Sequence, residues 1–329
     1  MASRRILQRS RRCDFHTPYR NSTQLFSTST SRCDSAAAAA IAAAPQPKAS
    51  PNTDPAKPHT VDPRWLTTIK RRIGKCLMFG LQPAQVDVAG SILQQIARDW
   101  RELIAGSEGF LTGDTRRSVF RHSVVWGEMD VMGKSVIYNA RLLLRSKPEY
   151  HKIGHVNNVT YLRYAETARV NLMRNYAMHI DPAHKTDWLN TVGNKGTGLI
   201  LQSIKLDYKF PMTWPDKITV YHRLTQDPSA TLAKSFFQQE VLILSEAKQR
   251  PAARCLEQNA LYDYKLLRKA PSPPAFLLEQ FRRTWELQEE SKREWQQRIA
   301  DIENSVRTLE VGSWDREDAV EMLGSASKS

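Results

Sequence analysis

Residues 126–158 read WGEMDVMGKSVIYNARLLLRSKPEYHKIGHVNN, and the same small signature occurs in them twice. Met132-Gly133 closes an acidic turn that carries Glu128 and Asp130, and Ile153-Gly154 opens a His-Val-Asn-Asn run with the form of a helix start. A basic, leucine-rich segment, Lys134 to Gly154, stands between them. One loop has been split in two, and the text on either side of it sets the fold.

Upstream, Ser118 to Trp126 alternates Val119, Arg121, Ser123 and Val125 against Phe120, His122, Val124 and Trp126, the period of a strand. Downstream, NNVTYLRYAETARVNLMRNYA lacks Gly and Pro and begins with two Asn able to cap, which predicts a helix from about Val159 to Ala177. Four long β-rich segments then follow, GLILQSIKLDYKF, DKITVYHRLTQ, LAKSFFQQEVLILS and AARCLEQNALYDYKLL, broken by turn signals. One strand, one long helix and a run of antiparallel strands predict an α+β layer in which the sheet buries a single helix.

Helical spacing extends beyond this unit on both sides. Trp65, Ile69, Ile73 and Leu77, then Val86, Ile92, Ile96, Trp100 and Leu103, predict two helices parted by GLQP around Pro83. After APSPP, the positions Leu278, Phe281, Trp285, Gln288, Lys292, Trp295, Ile299, Ile302, Val306 and Leu309 step by three and four, a heptad seam with polar residues in its middle. Such a helix packs either along its own domain or as an intermolecular coiled coil, and three aromatics on the seam suit the former better than a zipper.

The chain has 329 residues, 41% of them apolar and 9% aromatic, enough for a substantial core. Its four cysteines, Cys13, Cys33, Cys76 and Cys255, lack Cys-x-x-Cys spacing, which disfavours a zinc site or disulfide framework. No apolar run reaches the length of a membrane helix. The formal charge of +14 would suggest nucleic acid, but it is unevenly placed. Residues 1–58 carry +6 and Lys134 to Gly154 another +4, leaving an ordinary surface with no arginine-rich stripe, so no nucleic-acid partner is expected. Within residues 1–33, seven arginines stand against the single acid Asp14 among many Ser and Thr, the composition of a mitochondrial presequence. The expected organisation is a presequence (1–33), a linker (34–63), a helical extension (64–117), the α+β domain (118–270), a C-terminal helix (271–312) and a tail (313–329).

When Met132-Gly133 is joined directly to His155, the text becomes WGEMDVMG-HVNNVTYLRYAETARVNL. In that form it resembles the signature of hot-dog fold thioesterases of the hydroxybenzoyl-CoA thioesterase type, and the likeness runs from about Val119 to Leu309, closest to fungal mitochondrial members. The resemblance implies a hot-dog fold, an antiparallel sheet wrapped on one long helix, and hydrolysis of acyl-CoA or related acyl-carrier thioesters by a homodimer with no cofactor. It places Asp130 at the catalytic carboxylate, acting as nucleophile or as general base, with Glu128 beside it. His155 and Asn158 fall in the segment before the helix, whose N–H groups can stabilise an oxyanion. Read without the resemblance, Asp130 is an ordinary turn residue, Asn157 and Asn158 are caps, and Glu166 and Arg169 pair on one helix face. A non-catalytic hot-dog scaffold in a mitochondrial assembly is the competing function, motivated by the long helical extensions.

The interruption has its own reading. Gly133-Lys134-Ser135 can be encoded GGT-AAG-TCN, which contains a splice donor, and Ile153-Gly154 can carry an AG acceptor. Removing Lys134 to Gly154 keeps the frame and restores the signature. The segment is read as a retained short intron, with a lineage-specific loop as the alternative.

Overall fold

The computed structural model describes residues 61–62, 64–130, 154–231 and 236–320. The expected presequence, almost all of the linker and nearly all of the interrupting segment lie outside the described residues. In chain order the elements are α1 (Trp65–Met78), α2 (Pro83–Ala105), β1 (Val119–Ser123), β2 (Met129–Asp130), β3 (His155–Val156), α3 (Asn158–Asn175) and α4 (Lys185–Asn190). There follow β4 (Thr197–Tyr208), β5 (Lys217–Leu224), β6 (Phe236–Ser245), β7 (Arg250–Asp263), β8 (Arg268–Lys269) and α5 (Ala275–Val311).

Five strands form one antiparallel sheet in the order β1-β5-β6-β7-β4, with β8 added to β7. On one face Ile218, Val220, Val241, Ile243, Ala253 and Cys255 pack against Tyr161, Tyr164, Ala165 and Ala168 of α3. The mixed α/β architecture thus follows the expected order of strand, helix and strands. The second face differs from expectation. Tyr221, Leu242 and Leu244 are buried there against Ile69, Ile96 and Leu103 of the first two helices, and the same cluster takes in Ile302 and Val306 of α5. The middle of the sheet, at β5 and β6, is therefore covered on both faces by its own chain. The physical reason lies in β5 and β6, whose ITVY and VLIL runs are apolar without alternation, as strands buried on both sides must be.

Local signals explain the boundaries. Gly80, with φ of 83°, ends α1, and Pro83 opens α2, so GLQP separates them. The strand expected over Ser118 to Trp126 stops at Ser123, because Arg121 has a φ of 50°, the pairing with β5 carries a bulge, and Trp126–Glu128 winds into a short 3₁₀ turn. The seam of α5 packs on its own chain, with Phe281, Gln288, Ile299, Ile302, Val306 and Leu309 buried. Gln288 is polar there for a reason: its Oε1 accepts from the Leu224 N–H at 2.8 Å and its Nε2 donates to the Leu224 carbonyl at 3.1 Å, completing the end of β5. The helical layer is also tied to the sheet by ions, with Arg254 of β7 bridging Glu108 at 2.6 Å and Glu240 of β6 at 2.8 Å.

Candidate active site

The two halves of the split signature meet in space. Met129 pairs with Val156 and Asp130 with His155, so the tiny ribbon of β2 and β3 brings the acidic turn to the start of α3. Asn157 is the hinge of this arrangement. Its backbone N–H donates to the Glu128 carbonyl at 2.8 Å, its Oδ1 accepts from the Val159 N–H at 2.8 Å as the cap of α3, and its Nδ2 donates to Asp130 Oδ1 at 2.6 Å. One amide therefore fixes both the helix start and the carboxylate. Asn158, the first residue of α3, contributes its carbonyl as acceptor for the Tyr208 hydroxyl at 3.0 Å.

Helix geometry singles out one N–H at the start of α3. In the first turn of α3 the Val159 N–H is taken by the cap, and the Thr160 N–H donates to the Asn157 carbonyl at 2.9 Å. The Asn158 N–H has no partner among the described residues. It stands at the positive end of an 18-residue helix, which favours developing negative charge. Asp130, His155 and Asn158 all line one open cleft of about 450 Å³, together with Tyr161, Tyr208 and Lys209. The three residues singled out in the sequence are thus brought together, although His155 Nδ1 faces the Val156 carbonyl at 3.1 Å and so has a local partner.

Glu128 lies apart from that cleft. Its Oε2 accepts from the Val125 N–H at 2.9 Å and from the Tyr164 hydroxyl at 2.7 Å, and it lines a different cleft with His122, Arg163 and Asn171. Burial, then the hydrogen bond to Glu128, pushes the Tyr164 phenol far above its usual range, so this hydroxyl stays a donor. Glu166 and Arg169 do not form the helix-face pair that their spacing suggested. Arg169 turns inward, and its Nη1 lies 2.8 Å from Glu257 Oε1 on β7. The cap role of Asn157 was legible in the local motif, whereas its bond to Asp130 and the roles of Tyr208 and Glu257 depend on which strands lie beside α3, and no local motif announces them. Among the described residues no group of three or more His, Cys, Asp or Glu side chains is placed to hold a metal ion, and no helix is long and apolar enough to cross a membrane.

Comparison with known proteins finds likeness for part of the chain. Residues 124–281 match the family model of the thioesterase-like superfamily. No curated protein sequence matches the chain. Among solved structures, a thioesterase from Thermus thermophilus complexed with coenzyme A and zinc is 23% identical, with 54% of this chain and 98% of that one covered at a TM-score of 0.35. A probable thioesterase from Escherichia coli is 19% identical, covering 50% and 94% at 0.32. A DHNA-CoA thioesterase from Staphylococcus aureus is 13% identical, covering 57% and 93% at 0.32.

Proposed function

We propose that this chain hydrolyses acyl-CoA or related acyl-carrier thioesters, with Asp130 as the reacting carboxylate and the Asn158 N–H as oxyanion donor. The observation that carries the reading is the Asn157 side chain, which holds Asp130 at 2.6 Å while capping the helix whose N-terminus would face the thioester carbonyl. A carboxylate suffices for this bond, because the thioester carbonyl is activated and the thiolate leaves readily. Asp130 either attacks the carbonyl carbon, giving an acyl-carboxylate anhydride that water then opens, or draws a proton from the attacking water. In both routes the negative oxygen develops toward the α3 N-terminus. Lys209 at the rim of the cleft is a cation suited to a coenzyme A phosphate.

The reading extends to a hot-dog wrapping of the sheet on α3, a homodimer, a mitochondrial location and affinity with fungal mitochondrial members. Support for the dimer is β4, a 12-residue border of the sheet that pairs only with β7 among the described residues. Support for the location is the arginine-rich composition of residues 1–33. The scaffold alternative loses its main motive, since the long helices are used to cover the sheet.

A panel of acyl-CoA substrates assayed for released thiol, on the full chain and on the form lacking Lys134 to Gly154, tests the activity. Hydrolysis by neither form would hand the lead to the scaffold reading. In a single-turnover reaction in ¹⁸O-water, label found in Asp130 identifies the anhydride route, with water opening the anhydride at the Asp130 carboxyl carbon. Sedimentation of the full chain at several concentrations tests the dimer, and sequencing of the mature transcript across residues 133–155 decides whether the interruption is a retained intron.

A further inference from the structure

Tryptophan is mostly withdrawn from water in folded chains, because its large indole has much apolar surface to hide. Six of the eight tryptophans here are buried or half-buried, while Trp126 and Trp214 are exposed, at 54% and 46%. The two belong to different loops yet stand together, their rings edge to face with centroids 5.8 Å apart. Val125, next to Trp126 in the chain, is exposed as well. The sheet sets this meeting. Ser123 of β1 lies opposite Lys217 of β5, and the Val124 N–H donates to the Asp216 carbonyl at 3.0 Å, so the chain leaving β1 and the chain entering β5 run side by side at this end.

The acids of these loops are engaged by their own surroundings. Asp216 accepts from the Ser245 hydroxyl at 2.6 Å, from the Lys217 N–H at 2.6 Å and from the Ala247 N–H at 3.0 Å. Glu246 pairs with Arg101 and accepts from the Thr219 hydroxyl, and Glu128 accepts from the Val125 N–H and the Tyr164 hydroxyl. Asp130 is held by Asn157 and lines its own cleft. The cations are not so engaged. Lys217 heads β5, and Lys248 lies in the β6–β7 turn that Ser245 and Ala247 fasten to Asp216; both are exposed and form no ion pair among the described residues. Two wet indoles beside unpaired ammonium groups have the chemistry of a bilayer surface anchor, in which the rings sit at headgroup level and the lysines meet anionic lipid.

We propose that this end of the molecule docks on an anionic phospholipid bilayer, with Trp126 and Trp214 seated among the headgroups and Lys217 and Lys248 on the lipid phosphates. A second copy of the chain is a poorer occupant, since a two-fold contact through the patch would bring its unpaired lysines against their own equivalents. The patch adjoins the cleft of Asp130. Trp126 lies four residues before Asp130, and Trp214 three residues after Pro211, which lines that cleft. At most about 14 Å of extended chain therefore separates either indole from the cleft. Docking stands on the patch alone, and what it achieves rests on the thioesterase reading. A long-chain acyl-CoA is an amphiphile whose acyl chain partitions into bilayers, and a docked molecule meets it with the cleft close to the surface.

The test is flotation of the full chain with vesicles of phosphatidylcholine alone and of equal parts phosphatidylcholine and phosphatidylglycerol. The unmodified chain should bind the anionic vesicles at least about tenfold more strongly and be released by added salt. Because the arginines of residues 1–33 also attract anionic lipid, two double variants decide where binding resides. Trp126→Ser with Trp214→Ser, and separately Lys217→Gln with Lys248→Gln, should each weaken binding to the anionic vesicles at least about tenfold. Their melting temperatures should be kept, since all four side chains are exposed. Absence of binding to anionic vesicles overturns the inference, and so does unchanged binding in either double variant, which would assign it to the N-terminal arginines. Self-association in sedimentation that the tryptophan variant abolishes would give the patch to a second copy and overturns it too. Hydrolysis of thioesters without vesicle binding leaves the thioesterase reading standing and removes the docking; vesicle binding without hydrolysis does the reverse.

Discussion

In the proposed reaction Asp130 is the group that reacts, and Asn157, hydrogen-bonded to it at 2.6 Å, is the one that aims it. Asp130→Asn keeps size and hydrogen-bonding capacity but can act neither as nucleophile nor as base, so kcat should fall about 100-fold or more with KM little changed. Glu128→Gln should do far less, since Glu128 is bound to Val125 and Tyr164 and lines another cleft. A steady-state comparison of the two variants on one acyl-CoA checks both; near-parent activity in Asp130→Asn would remove the assigned role. His222 supplies a second prediction, in pH. Burial, aided by the nearby Arg169, lowers its pKa from 6.5 to about 3. Between those values the unfolded chain takes up a proton that the folded chain refuses. Stability from this residue is thus complete above pH 6.5 and declines as pH falls toward 3, by up to about 1.4 kcal/mol per unit. Melting temperature measured from pH 7 to 4 should fall less steeply in His222→Asn than in the parent. Comparing the two chains cancels the opposite contribution of Glu257, whose carboxyl burial pushes up. Equal slopes would show that His222 is not held neutral.

At the scale of elements, periodicity carried most of the information. The segment NNVTYLRY announced α3 because the cap and the helix formers are local, and α3 indeed starts at Asn158 under the Asn157 cap. The four later strands were legible for the same reason, each within a few residues of its ends. What was not legible was the partner of each face. The double-sided burial of β5 and β6 shows only as missing alternation, and Gln288 looked like a flaw in the seam of α5 until the end of β5 lay beside it. Likewise Asp130, His155 and Asn158 could be picked out from their motif, whereas the Arg169–Glu257 contact joins residues 88 positions apart and has no sequence signature. Gln288→Leu tests the structural claim: it keeps the volume but strips two buried backbone groups of Leu224 of their partners. A loss of about 1–3 kcal/mol or more is expected, read from the urea midpoint. An unchanged midpoint would mean that Leu224 is satisfied in some other way.

For the molecule as a whole, residues 1–58 contribute almost no periodic apolar surface. Deleting them should abolish uptake by isolated mitochondria and leave the melting temperature nearly unchanged, and a large drop would identify a structural arm where a presequence was expected. The sheet sets a further limit at this scale. At β5 and β6 its two faces are occupied, by α3 on one side and by α1, α2 and α5 on the other, which leaves its borders, among the described residues, as the places where a further strand could be added. Those borders are unequal. The β4 border is 12 residues long, while the β1 border has five residues, a bulge and a left-handed Arg121. If the proposed dimer forms through β4, that border has a valence of one: joining one copy uses it up, and growth into a filament along it has nowhere to start.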